Sequence, residues 1–541
     1  MSDPFDADVL VIGAGPVGLV GALTLAMNGV KVRVIEKLPA LAVGQRGAGV
    51  VPRTLETYSM LGFADEVKAA GAKTMQLQRY DTEGRPTEVT DFVDHGKKAP
   101  GTPYPEFWLL GQDGVCRIVA RRLKEQFGID IEFGTELVDL DQDDIGVTAA
   151  VKAQGTDKTI RVKYVVAADG GKGTSRRLAG AELINQSNTE GRMLVGDLAL
   201  KGFSNKYWHQ FQDENGNVLL VRPVPEDPEL FWFIGYGPDL DIARATTDVG
   251  HLLGWMHKVT HNPDIAIDKV STLADWRLNV RMCEKFQSGR IILAGDAAHL
   301  HSPTGAQGLT SGVMDVRNLS WKLALVCKGL ALPDLLETYS EERVPVISEM
   351  LKVTTKIASA TFKAKPDDDA FKRPTHLGQL GVHYRWSSIV HDGLRVGEAQ
   401  FESTNLAPPS TYGLGEKMPR LQAGDRAPDA PGLIGPAGET TLFDNFSVAR
   451  HTVLVFGPSH DAAVRAAVAR YPKGFTDILT LLPEGSEKKE GALIDAQGHA
   501  YRGYAVEAGV AVAIVRPDGV VGALLKEDEG VEVYFSRIFS A

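Results

Sequence analysis

The sequence predicts an α/β protein of two or three domains. A doubly wound nucleotide-binding domain is interleaved with an antiparallel sheet, and a second α/β domain follows at the C-terminus. Three observations predict it. The chain opens on an apolar run, a glycine-rich turn, a helical pattern and a second apolar run that ends in an acid, all within residues 9–36. Residues 291–309 bring a further apolar run and a Gly-Asp turn that leads into another helix. Aromatic alternating runs separate these segments, and a Pro-, Asp-, Gly- and Ser-rich stretch at residues 365–425 precedes a new strand-helix pattern.

Residues 9–12 are uniformly apolar, as a parallel strand buried on both faces must be. Gly13, Gly15, Pro16 and Gly18 form the turn, and Leu19, Leu23, Leu25 and Ala26 give a helix that Gly29 stops. In such a unit the first glycine permits the tight turn and the second lets the backbone approach a pyrophosphate. The third lets the helix pack on the strand, with its N-terminus facing the phosphates. Residues 30–35 form the second strand. Glu36 stands 18 residues beyond Gly18, where an acid accepts from ribose hydroxyls. An acid there favours FAD or NAD over NADP.

The segment KYVVAADGGKGTSRR, residues 163–177, is a strand ending at Asp169-Gly170 with Arg176 and Arg177 close behind. Taken alone, this is a turn and a solvated basic patch. Residues 291–293 form a strand before Gly295-Asp296, where the acid can accept from a ribityl or ribose hydroxyl. Pro303, Gly305, Gln307 and Gly308 lead into a helix with an apolar stripe through Leu309, Val313, Val316, Leu319, Leu323 and Val326. The N-terminus of that helix is a positive pole aimed at a ring that accepts negative charge.

Residues 76–108 and 190–285 alternate aromatic and apolar positions, which predicts an antiparallel sheet roofing a cavity. Trp276, Arg277, Asn279 and Arg281 lie on the strand leading to the Gly-Asp turn and are the pocket candidates. After the linker, strands are expected at residues 452–456, 510–516 and 520–525. A helix is expected at 461–471, and a hairpin turn at Pro517-Asp518-Gly519. No cysteine follows Cys327, so this last domain has no thiol redox chemistry.

Composition excludes several classes. The 541 residues carry a net charge of −11, which argues against a general binder of nucleic acid or anionic membrane. Three dispersed cysteines make neither a zinc motif nor a disulfide framework. The N-terminus runs straight into a strand and no apolar run approaches a membrane span, so a cytoplasmic protein is expected. Asp296, His299 and His301 form a D-x-x-H-x-H string, but their setting fits a nucleotide turn better than a metal. No nucleophile elbow is present.

The segments GAGPVGL…E, RGAGVVPRTLE, the helix start at Gln112, ADGG, GDAAH…PTGAQGL…D…NLSWKLA and LLETYSEERVPV run in this order over the whole chain. Together they resemble the FAD-dependent aromatic hydroxylases, single-component flavoprotein monooxygenases typified by para-hydroxybenzoate hydroxylase and phenol hydroxylase. The likeness is to the longer, phenol hydroxylase-like branch. It implies a Rossmann-type FAD-binding domain in three pieces (1–75, 109–189, 286–364), a substrate sheet (76–108, 190–285), a linker (365–425) and a thioredoxin-like domain (426–541). It implies FAD held non-covalently by Gly13, Gly15, Pro16, Gly18, Glu36, Lys37, Arg46, Gln112, Asp169, Asp296, Pro303, Gly308 and Leu309. Pro303 and Gly305 would lie beside the flavin ring. One departure stands out: the middle motif usually reads Asp-Gly-x-x-Ser-x-x-Arg, and Gly173 occupies the serine position.

The resemblance further implies a homodimer and the hydroxylation of a phenol by NAD(P)H and O2 through a flavin C4a-hydroperoxide. The phenol base is open, because RGAGVVPRTLE has no acid before Glu56. His209, Tyr236 or a water chain are the candidates, and Arg277 or Arg281 could pair a carboxylate or phenolate. Baeyer–Villiger oxygenation, epoxidation, oxidative decarboxylation and a non-enzymatic FAD-binding regulator remain as alternatives.

Overall fold

The computed structural model describes residues 4–45, 47–185, 191–301, 305, 307–363, 372–394, 410–413 and 420–540. Its first sheet is built on the strand Ala7–Ile12, where Val9, Leu10 and Val11 are wholly buried. That strand pairs in parallel with Val32–Glu36 on one side and Thr156–Ala167 on the other. Ile131–Phe133 and Ile291–Leu293 extend the parallel sheet outward. The first helix, Pro16–Met27, crosses between the first two strands. Gly18 is required here, since a Cβ on it would meet the Gly13 carbonyl oxygen at 2.0 Å.

The second sheet has seven strands, in the spatial order Ala266–Arg277, Arg192–Lys201, Asp227–Tyr236, Val218–Val224, Trp208–Gln212, Leu77–Tyr80 and Pro86–Thr90. The expected antiparallel pattern holds except where Trp208–Gln212 meets Leu77–Tyr80 in parallel. Those two strands come from separate chain segments, so no hairpin dictates their direction. A helix at Val249–Thr260, absent from the sequence expectation, covers the outer face through Leu252, Trp255 and Met256. Its signal was local: the Asp248 carboxylate accepts from the His251 backbone N–H at 3.0 Å, an N-cap bond.

The spine helix, Gly308–Cys327, and the long helix, Glu337–Lys363, join the parts. The spine packs against the first helix where a Cβ on Gly21 would touch Val316 at 3.2 Å. The C-terminal sheet has eight strands centred on His451–Phe456 and Val512–Val515, with the expected turn at residues 517–519. The helix expected at 461–471 runs over Asp461–Val468. The segment read as a linker is partly woven in, because His391–Asp392 forms the edge strand beside Val521–Leu525. Among the described residues no helix is long and apolar enough to cross a membrane, and no cluster of His, Cys, Asp and Glu is placed to hold a metal.

Candidate active site

At the opening turn Gly13 adopts φ +103°, and a Cβ there would meet the Ala168 carbonyl oxygen at 2.5 Å. Gly15 faces open space. No side chain caps the helix that begins at Pro16, so its first N–H groups are left for a ligand. The Glu36 carboxylate accepts from the Ala14 N–H at 2.8 Å and from the Leu38 N–H at 3.0 Å. These bonds hold the acid at the strand tip beside the turn. Lys37 is exposed there, and Gln112 starts its helix, Gln112–Phe127, half-buried. Arg46 and Pro303 lie outside the described residues.

Asp169 settles the departure in the middle motif. Its Oδ2 accepts from the Ser175 N–H at 2.9 Å and the Ser175 hydroxyl at 2.8 Å. A Cβ on Gly173 would lie 2.1 Å from the Asp169 carboxyl carbon, so the hydroxyl is supplied two residues later. Arg176 then ties this loop to the late turn by donating to the carbonyls of Gly171 at 3.0 Å and Ala297 at 3.1 Å.

The late turn is set by Asp315, which the sequence reading marked as the acid of the motif GDAAH…PTGAQGL…D…NLSWKLA but gave no role. Asp315 on the spine helix accepts from the Gly295 N–H at 3.0 Å and lies 2.7 Å from both His299 Nε2 and Arg343 Nε. Burial alone would raise this carboxyl, but Arg343 and His299 hold it down at about 2. Asp296, by contrast, keeps a side chain 54% exposed at the mouth of the turn. The spine helix begins uncapped after Gln307, whose amide donates to the carbonyls of Gly305 and Leu377, each at 3.0 Å. A Cβ on Gly308 would meet the tip of the His301 ring, Nε2, at 1.8 Å, so any larger residue there would have to displace that ring. Leu309 follows, half-buried. Two uncapped helix N-termini, a glycine cradle and two strand-end acids suit a dinucleotide with an electron-accepting ring.

Strand register sorts the remaining candidates. Tyr236 and Trp276 share one face of the second sheet with Met193, Val218 and Leu220. His209 does not join them. Its ring lies on the opposite face among Tyr80, Phe203 and Phe211. The Tyr80 hydroxyl at 2.8 Å and the Ser204 carbonyl at 2.8 Å occupy both ring nitrogens. Arg277 alternates away from Trp276 and stands in solvent beside Asp275, and Arg281 is exposed on the short strand Arg281–Met282. Tyr236 donates to the Thr361 carbonyl at 3.2 Å, and burial raises its phenol further above neutrality, so it is no base at pH 7.

The polar residues of this face were not foreseen. Asp197, Trp232, Arg222 and Trp208 stand in one row across four strands. Arg222 is buried, with its guanidinium 5.0 Å from the Trp232 ring centre and 5.7 Å from that of Trp208. It donates to Gln45 Oε1 at 2.7 Å and to the Pro223 carbonyl at 3.0 Å. Burial lowers its pKa to about 10 against the pull of Asp197 and Glu226, so it stays charged. Arg222 Nε, both indole N–H groups, Gln210 Oε1 and Asp197 Oδ1 have no partner among the described residues. Buried polar groups seldom stay unsatisfied in a finished core.

Gln45 and Gly47 connect this row to the nucleotide side. The Gln45 N–H donates to Asp197 at 3.1 Å, and a Cβ on Gly47 would sit 3.9 Å from that of Leu309. The unsatisfied row and the start of the spine helix therefore flank one loop.

Comparison with known proteins agrees with this geometry. Residues 6–354 match the FAD binding domain family. A flavin-dependent monooxygenase of Mycobacteroides abscessus is 31% identical over 536 residues, 98% of this chain and 99% of that protein. A pentachlorophenol 4-monooxygenase of Sphingobium chlorophenolicum is 28% identical over 539 residues, 97% and 95% of the two chains. Among solved structures, a ternary complex of aklavinone-11 hydroxylase with FAD and aklavinone matches with TM-score 0.79 over 99% of each chain at 24% identity, a likeness of fold. The chain belongs to the FAD-dependent aromatic hydroxylases of the flavoprotein monooxygenase family, and it is an enzyme.

Proposed function

We propose that this enzyme hydroxylates a phenolic aromatic compound at the expense of NAD(P)H and O2, with the substrate bound against the row Asp197, Trp232, Arg222 and Trp208. The observation that carries the reading is the set of unsatisfied buried donors on that row. Three N–H groups around one guanidinium match an oxygen that carries negative charge, and a phenolate is the form of a phenol that attacks an electrophilic oxygen. FAD, when bound, supplies the reduction and dioxygen activation that no side chain can. Gly13, Gly15, Gly18, Glu36 and Asp296 would hold it.

The chain's own part is to bind, orient and deprotonate. The charge of Arg222 favours the ionised substrate, and Asp197 Oδ1 is the carboxylate oxygen on the row left to take a proton. Trp208 and Trp232 exclude water from the reacting ring. Membership of an enzyme family removes the reading of a regulator that only binds FAD. We also assign the C-terminal domain a thioredoxin-like fold. Its strand order Thr476–Pro483, His451–Phe456, Val512–Val515, Val521–Leu525 supports this, with the outer pair antiparallel and a helix, Glu529–Phe535, at the end.

Oxidation of NADPH and NADH by the purified flavoprotein, measured against mono- and polycyclic phenols with product mass, tests the proposal. Stimulation with gain of one oxygen atom by a phenol, and none by its methyl ether, is the expected result. Equal turnover of phenol and ether, or ring expansion or loss of CO2 in the product, would overturn it in favour of another oxygenation.

A further inference from the structure

The joint between the spine helix and the C-terminal sheet holds more positive than negative charge. Arg53, Arg317, Lys322, Arg343, Arg426 and Arg516 meet Glu56, Asp315, Glu342 and Asp518 there, all buried or nearly so. Five of these cations sit within 3.0 Å of a carboxylate: Arg53 and Arg426 on Glu56, Lys322 on Glu342, Arg343 on Asp315, and Arg516 on both Glu342 and Asp518. Among the described residues Arg317 has no such partner.

Arg317 is 2% exposed. Its Nη2 donates to the Pro517 carbonyl and lies 3.6 Å from Met60 Sδ, while Nε and Nη1 have no partner among the described residues. The side chain lines a small cleft, with room for little more than one water-sized species, together with Arg53, Asn318, Gln379, Tyr384 and Asp518. Burial draws the Arg317 pKa down to about 10, with Asp518 opposing and Arg53 adding to the effect, so the group is still charged at neutral pH. A buried charge with no carboxylate in contact is among the costlier features a fold can carry, and Asp518, held by Arg516, offsets it only in part.

We propose that this cleft binds a halide-sized monovalent anion, such as chloride, as the counter-ion of Arg317. Water could satisfy the free N–H groups but would leave the charge uncompensated. The Tyr384 hydroxyl accepts from Arg343 at 2.9 Å, which leaves its own hydrogen to donate toward the cleft. Asp518 also faces the cleft. Its charge is engaged by Arg516 at 2.5 Å, yet it still repels a second negative charge, which disfavours phosphate or sulfate. Such an anion would clamp the spine helix to the turn at residues 516–519.

The test uses the full-length, FAD-loaded enzyme in chloride-free gluconate buffer, titrated with sodium chloride at constant ionic strength. The unfolding temperature should rise by about 1 °C for each tenfold increase in chloride beyond half-saturation, as expected for a ligand that binds only the folded state. Arg317→Met should lose this dependence. Wild-type crystals grown in sodium bromide should show an anomalous peak beside the Arg317 guanidinium. A wild type that is insensitive to chloride, with no bromide peak in the cleft, would show that solvent alone meets this charge and would overturn the proposal. Should Arg317→Met fail to fold, the wild-type titration and the bromide peak decide the matter.

Discussion

The two ends of the spine helix are built to opposite rules. Around its first turn, Asp296 stays half in solvent, the helix start has no side-chain cap, and the facing sheet carries unsatisfied donors. Toward its other end Lys322 is buried with Glu342, Arg516 and Asp518, at contacts of 2.5–2.9 Å. The first region is left for ligands to complete. Around Lys322 the second is completed by protein, because the helices supply Lys322 and Glu342 while the end of the C-terminal sheet supplies Arg516 and Asp518, and among the described residues of the joint only Arg317 is left without a carboxylate. One helix thus carries a site and a weld, and the difference lies in whether the polar groups already have partners.

The sharpest way to break that contrast is Glu342→Ala. Burial alone would raise this carboxyl, but Arg516 and Lys322 hold it far below its usual range. Its loss strands the Lys322 ammonium and leaves Arg516 with Asp518 alone, and a destabilisation of about 3–5 kcal/mol is expected in denaturant unfolding. Stability should also fall in acid, with a sign that the shifts dictate. The folded-state pKa values of Asp315 and Glu342 are depressed, so their contribution is present above the unfolded value. It is lost as pH drops through the folded one, from about 4 toward 2 for Asp315. An unfolding temperature that stayed flat between pH 5 and pH 2.5 would contradict the network.

At the site end, Gly18→Ala should cut bound FAD more than tenfold in the purified protein, read from flavin absorbance, because the new Cβ has only 2.0 Å to the Gly13 oxygen. Arg222→Met should lower kcat/KM for a phenol by about 10- to 100-fold, the worth of a charged hydrogen bond, while leaving FAD content intact. Its pH–rate profile should lose sensitivity to substrate ionisation. Least of all, Arg277→Ala and Arg281→Ala should leave kinetics and unfolding unchanged, since both side chains stand in solvent. A clear loss in either would return the pocket to the strand end where the sequence had placed it.

Legibility followed range. The glycine turn, the strand ending in Glu36 and the C-terminal hairpin are local, and each is written in consecutive residues. The middle motif was legible as a departure at Gly173, but its resolution through Ser175 needed the fold of the loop. His209 and Trp208 are neighbours in sequence with opposite fates, since successive strand residues face opposite sides and nothing local says which side holds the site. Asp315 was legible as the acid of a motif, but its partners His299 and Arg343 were not, because only the fold brings them within reach of it.

By itself, then, the sequence determined the nucleotide cradle, the order of the elements, the presence of a second sheet and a C-terminal domain, and the family likeness. These rest on short-range periodicity, glycine sterics and motif spacing. Only the tertiary structure decided the face of the second sheet, the row around Arg222, the parallel junction with Leu77–Tyr80 and the buried ion network between the spine helix and the C-terminal sheet. Each of these depends on residues far apart in the chain, and a charge or a donor has no defined partner until folding brings one to it.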